Sequence, residues 1–319
     1  MKMNAKQIPL VVALGLGTLG LVSLTQGSGE EKEPSSDGKK RIVFLVGDDL
    51  NHASGTHEFY AGAKLLEKSL KAGELKDHLD IEIVNNWPED TSVFDDADAI
   101  IHYYKGNQTH FVNKNAGLFD GLHKKGVGQM FIHYAVDPDT SVNGSLKSWT
   151  GGVYKDKFST NPHWTLKSTL DKHPINNGVA EYSSHDEWYF NIDFEKEVLL
   201  GAEGVVKSDE VYSVMRGNKS DLAKVKKAQK TLKSAQSDSV LTVFWAKESA
   251  GGGRGVGVTG AHYHKNWAHD EFRKQVLNGI VWCAKLPVPA GGVESPEITE
   301  EEINANLDKR KKGFKKISL

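Results

Sequence analysis

Apolar residues along this chain fall into short runs separated by stretches of helical spacing. RIVFLVG (41–47) is a continuous run rich in β-branched residues, as a strand covered on both faces requires. After the loop DDLNHASGT, residues 57–73 set Phe59, Ala63, Leu65, Leu66 and Leu70 at helical intervals and stop at Gly73. LDIEIVNN (79–86) alternates and predicts a second strand. DDADAIIHYY (95–104) predicts a third behind a polar lead, residues 110–126 a helix, and VGQMFIHY (127–134) a fourth strand. Strands that alternate with helices over short turns must run parallel, because antiparallel neighbours need no helical crossover. The expected fold class is therefore α/β: an open, mostly parallel sheet with helices on both faces.

The pattern weakens between 140 and 215, where Trp149, Trp164 and Trp188 stand among glycines and irregular polar segments. Residues 221–238 form a Lys-rich helical insertion, read as a solvated surface helix because no aromatic residue interrupts its charges. SVLTVFWAK (239–247) and GRGVGVTGAHY (253–263) read as a strand pair around a Gly-rich turn, and 269–286 as an amphipathic helix stopped by Pro287. GGGRGVG (251–257) precedes a strand instead of opening a helix, so it is not a dinucleotide fingerprint.

The two ends differ from the middle. Lys2 and Lys6 precede an uncharged apolar stretch, 8–24, with a small polar exit. This is the order of a secretory signal, and Gly15, Gly17 and Gly20 favour a cleaved signal over a permanent anchor. The expected organisation is a signal peptide (1–28), a disordered linker (29–40), one domain (41–295) and a charged C-terminal tail (296–319) with helical polarity. A periplasmic or secreted bacterial protein follows, with no membrane contact beyond the signal. The net charge of −2 disfavours nucleic acid as a partner, and homo-oligomerisation stays open. The single cysteine, Cys283, excludes a disulfide framework within one chain.

Ligands of an open parallel sheet bind beyond the carboxyl ends of its strands, so the residues at those exits are the candidates. They include His57 at a helix start, Tyr104 after the third strand, His133 after the fourth, and His262 and His264 after the late strand. On an extended strand His262 and His264 would point the same way. SSHDEWYF (183–190) adds Asp186 and Glu187, of which a strand would present only one to a site, and Trp188 as a wall for a sugar ring. His163 and Trp164, in NPHWT, are weaker sugar-facing candidates. For His102 a satisfied core position is at least as good a reading as a functional one.

The ordered set SGTHEFYAG, DADAIIHYYKG, GVGQMFIHYAV, HPINNGV, DEWYF and GRGVGVTGAHYHKNW resembles ThuA-like proteins, named for trehalose utilisation, over about residues 41–295. The resemblance implies a class I glutamine amidotransferase-like (flavodoxin-like) fold and a link to sugar metabolism. Amidotransferases of this fold carry a cysteine nucleophile on the turn after a central strand and a histidine after a late strand. Here the first place holds His133, and Cys283 lies in a helix, so thiolate glutaminase chemistry is not expected.

The functional expectation is an exported protein acting on carbohydrate, a keto-sugar or a glycoside, by isomerisation, elimination or hydrolysis. His133 and His262 would serve as base and acid, assisted by Asp186 or Glu187, with His57, Tyr104, His163, Trp164, Trp188 and His264 binding the ligand. One alternative is a metal-dependent sugar hydrolase: His57, His133, His262 or His264 and a carboxylate would hold a divalent metal, although no local spacing signature marks such a site. A carbohydrate-binding or scaffold protein without turnover is the other. Cofactor identity is open.

Overall fold

A computed structural model describes residues 38–195, 199–200, 210–234, 240–309 and 315–319; the expected signal peptide and nearly all of the expected linker lie outside them. The sheet is built in two halves. Its parallel half has the order β2 (Leu79–Asn85), β1 (Lys40–Val46), β3 (Ala99–Tyr103), β4 (Gly128–Ile132), β12 (Arg254–Val258). The sheet then continues antiparallel through β11 (Val240–Glu248), β10 (Glu210–Asn218), β6 (Trp164–Leu170) and β7 (Ser183–Asp186), while the two-residue β9 (Leu199–Leu200) pairs with β10. A separate ribbon joins β5 (Gly152–Val153) to β8 (Asp193–Phe194).

Both faces of the parallel half are covered, which is why its strands read as unbroken apolar runs. In β1, Ile42, Phe44 and Val46 pack beneath α1 (Phe59–Ala72) and α6 (Asp270–Cys283), while Val43 and Leu45 pack beneath α2 (Val112–Lys124) and α3 (Asn143–Thr150). Successive side chains of a strand point to opposite faces, so one run fills two cores. Each such Ile, Leu or Phe contributes roughly 1.5–3 kcal/mol by leaving water.

Three sequence expectations change here. First, β12 ends at Val258, five residues before the expected end at 263. Ala261 has φ 83°, a left-handed conformation incompatible with a continued strand, so His262 and His264 do not share one strand face. Second, Trp164 and Trp188 are core residues, 2% and 0% exposed. Their indole N–H groups donate to the Trp188 and Ser184 carbonyls, and neither ring is open to a sugar. Third, the Lys-rich insertion is not merely a solvated helix. It forms two short helices, α4 (Lys219–Leu222) and α5 (Lys226–Ser234), which bury Leu222 and Ala228; its positions 235–238 lie outside the described residues. The C-terminal tail contributes α7 (Glu300–Ile303), capped by Thr299 and Glu302, with Ile303 fully buried in the main core.

Candidate metal centre

Four strand ends deliver four side chains to one point. His57 precedes α1, His133 follows β4 directly, Glu187 follows β7, and His262 lies four residues beyond β12. The loops of His57 and His262 are laced together: His57 N–H donates to the His262 carbonyl at 3.1 Å, and His264 N–H to the Gly55 carbonyl at 2.9 Å. His57 and His133 have φ of 52° and 54°, and Ala261 beside His262 has 83°. Left-handed backbone at non-glycine residues costs on the order of 1–3 kcal/mol each and gathers where a site must be aimed.

The ring nitrogens converge. His57 Nε2 lies 3.1 Å from His133 Nε2 and 2.9 Å from His262 Nδ1, and the latter two are 3.3 Å apart. Glu187 Oε2 lies 3.4 Å from His262 Nδ1 and 3.8 Å from His133 Nε2. The opposite nitrogens fix the tautomers. His57 Nδ1 meets the Asp49 carboxylate at 2.8 Å and His133 Nδ1 the Thr259 carbonyl at 2.9 Å, so each carries its proton there and leaves Nε2 bare. Two bare lone pairs 3.1 Å apart repel unless a donor or cation stands between them. A proton on His262 Nδ1 serves one of them, and the Tyr189 hydroxyl, 3.3 Å from His133 Nε2, can serve the other. A single cation satisfies all three nitrogens at once.

Electrostatics favour the ligating form. Burial, and then the charges of His57 and His262, push His133 well below the usual imidazole value; burial, His57 and His163 push His262 down to about 2. Both rings are therefore neutral at pH 7, the state in which imidazole binds metals. Burial works against the Asp49 charge, yet hydrogen bonds from His52 and His57 hold its carboxyl far below the usual range. A carboxylate behind a ligating histidine orients the ring and raises its basicity. Asp49→Asn is expected to weaken metal binding by about 10–100-fold with an unchanged circular dichroism spectrum, measured by competition with a chelator.

The donor set fits a divalent metal. Tetrahedral zinc with bonds of about 2.0–2.1 Å places its nitrogen ligands about 3.3 Å from one another. The three observed separations, 2.9 to 3.3 Å, need only a slight opening to reach this.

The centre forms the floor of a cavity of about 560 Å³, walled by Tyr134, Asp137, Tyr154, Asp156, His163 and Tyr263 among others. His163 Nε2 lies 3.6 Å from Glu187 Oε1, and its Nδ1 is 3.0 Å from the Tyr263 hydroxyl. The other Glu187 oxygen is braced from outside: Asn161 Nδ2 donates to Oε1 at 3.1 Å, and Lys227 of α5 donates to Asn161 Oδ1 at 2.7 Å.

The structure thus brings His57, His133, His163, Glu187 and His262 together, and sets other candidates apart. Asp186 is fully buried behind the cavity. It accepts from the backbone N–H groups of Ala261 (2.7 Å), His262 (3.1 Å), Tyr263 (3.2 Å) and Glu187 (2.8 Å), and from Asn266 Nδ2 (2.9 Å). With every oxygen engaged it positions the His262 loop and reaches no ligand. His264 is buried under α7, away from the cavity. Tyr104 is 1% exposed, with its hydroxyl on His102 Nδ1 at 2.9 Å; His102 also meets Gln129 Oε1 at 3.2 Å and is a satisfied core histidine. Cys283 is fully buried in α6, where burial raises its thiol pKa far above the usual range, so it does not line the cavity.

Fold and site together define an α/β protein in which a histidine occupies the left-handed turn after a central strand of the parallel sheet half. Within that class the chain belongs to the trehalose utilisation (ThuA) family, whose model matches residues 50–283. A ThuA-like protein from Bacteroides uniformis superposes with a TM-score of 0.53 at 15% identity, covering 77% of this chain and 91% of its own. One from Parabacteroides merdae gives 0.50 at 12% identity, covering 81% and 98%. These identities establish the shared fold alone. No curated protein matches the sequence.

Proposed function

We propose that the protein is a divalent-metal-dependent enzyme acting on a neutral carbohydrate. The observation that carries this reading is the approach of three imidazole nitrogens to within 3.3 Å of one another, two of the rings with their opposite nitrogens engaged by Asp49 and the Thr259 carbonyl. His57 Nε2, His133 Nε2 and His262 Nδ1 would hold the ion, with Glu187 on the fourth side. A metal so held supplies Lewis acidity toward a carbonyl or hydroxyl oxygen and eases deprotonation of water at neutral pH.

The chain's own groups divide the remaining work. Burial raises the Glu187 carboxyl, and a cation on the three nitrogens would oppose that shift and favour the ionised form, ready to accept a proton. The expected pairing of His133 as base with His262 as acid gives way to a pair of lone-pair donors, because neither ring is charged near pH 7. The lining supports the substrate class: Asp137, Asp156 and Glu187 face the cavity, and no Lys or Arg among the described residues lines it. A polyol finds carboxyl groups, tyrosines and Asn107 and Asn161 as hydrogen-bond partners there. The trehalose-utilisation family supports the same class. Export through the N-terminal segment belongs to this reading.

The test is turnover of trehalose, 4-nitrophenyl glucosides and their 3-keto forms by zinc- or manganese-loaded and by chelated protein. Turnover by the loaded form, lost on chelation and restored by metal, is expected. Equal turnover in both forms, or none with any of these sugars, overturns the proposal.

A further inference from the structure

Asp137 is a half-buried carboxylate in the cavity wall that the metal centre does not use. It closes the turn that His133 opens, His133–Val136, immediately after β4. Asp137 lines the same cavity as His57, Glu187 and His262.

The turn is rigidly held. Asp137 N–H donates to the Tyr134 carbonyl at 3.1 Å, its own carbonyl accepts from Asn107 N–H at 2.5 Å, and Tyr154 N–H donates to the Val136 carbonyl at 2.9 Å. Gly106 permits this approach: a Cβ there would stand 2.3 Å from the Tyr134 carbonyl oxygen. Among the described residues the Asp137 carboxylate has no hydrogen-bond or ion-pair partner, and it lines the cavity. The groups facing it are the Asp156 carboxylate and the Tyr134, Tyr154 and Tyr189 hydroxyls. No cation stands among them to hold it ionised.

We infer that Asp137 is the proton donor to the departing oxygen when a glycosidic C–O bond is cleaved in this cavity; this rests on the carbohydrate reading above. Water adds its oxygen to the anomeric carbon and releases one proton to solvent. The bond from that carbon to the leaving oxygen breaks, its electron pair stays on the oxygen, and the Asp137 proton joins it. The resulting carboxylate is reprotonated from solvent, so the sum is one water consumed and no net proton. Burial and then Asp156 raise the Asp137 carboxyl to about 7, so the donor form is present up to neutrality and is lost as pH rises through that value.

The experiment compares wild type with Asp137→Asn in the metal-loaded full chain. The probes are trehalose, whose leaving group needs a proton, and 4-nitrophenyl α-glucoside, whose leaving group does not. For trehalose kcat is expected to fall about 100-fold or more, the contribution usual for a general acid. For the nitrophenyl glucoside the fall is expected to be much smaller, and the basic limb of the kcat profile near pH 7 should vanish. Metal content should not change. An equal fall for both substrates marks a structural role and overturns the inference, as does undiminished trehalose turnover. Wild type that cleaves neither glycoside also overturns it. Failure of the metal reading shows separately, as wild-type cleavage that survives chelation.

Discussion

Replacing His133 with alanine is expected to lower metal affinity by at least about 100-fold and to abolish metal-dependent turnover. Structural zinc sites release about 10–16 kcal/mol on binding, shared among about four ligands, so one ligand accounts for roughly 3 kcal/mol. Removal of the His133 ring frees the Thr259 carbonyl and the Tyr189 hydroxyl and takes one nitrogen from the point that His57 and His262 share. His57→Ala and His262→Ala should give the same loss, because all three nitrogens face one point. Chelator competition and a thermal melt on each variant check this. A variant that keeps wild-type affinity removes that histidine from the centre.

Asp186→Ala should act on stability more strongly than any substitution of a cavity residue. It leaves the five donors on Asp186 without their acceptor in a fully buried site. Each unsatisfied buried donor costs about 1–3 kcal/mol, and partial relaxation toward water still leaves a loss of at least about 3 kcal/mol. A chain of this size should lose about 6 °C or more in Tm. Because four of those donors belong to residues 261–266, the His262 loop should loosen and metal affinity should fall with stability. Asp186→Asn retains one acceptor oxygen and should fall between the two. A melt of the Ala variant within 1 °C or so of wild type, less than about 1 kcal/mol, would contradict the positioning role.

The parallel half of the sheet was legible because its physics is local. RIVFLVG must be buried on both faces, and the helices that bury it announce themselves by spacing and by Gly73 and Gly126 at their ends. Beyond the β11–β12 pair the antiparallel half was not, since β6, β7 and β10 pair across long separations and their order depends on contacts no local pattern encodes. One signal was nonetheless present in WTLKSTL (164–170): Trp164, Leu166 and Ser168 alternate inward, and that alternation places Trp164 in the core.

At the site, strand exits led to His57, His133 and His262 because the topology of a parallel sheet gathers them. Asp49 stood at the first exit, but its role depends on the backbone of His57, whose left-handed φ turns Nδ1 back onto it. Asp186 and Glu187 were adjacent and indistinguishable in sequence. Their opposite facing on and just after β7 sends one carboxylate inward to backbone donors and the other into the cavity. His264 failed for a related reason: the left-handed Ala261 ends the strand geometry that would have aligned it with His262.

The centre itself is tested most directly by metal stoichiometry in the purified full chain. The protein would be stripped with chelator, reconstituted separately with zinc, manganese, cobalt or ferrous iron, desalted at pH 7.5 and assayed by elemental analysis. The account predicts one tightly held ion per chain for at least one of these metals, and none in a variant with His57, His133 and His262 all replaced by alanine. Wild type that retains no metal from any of the four, or a triple variant that retains as much as wild type, would contradict it.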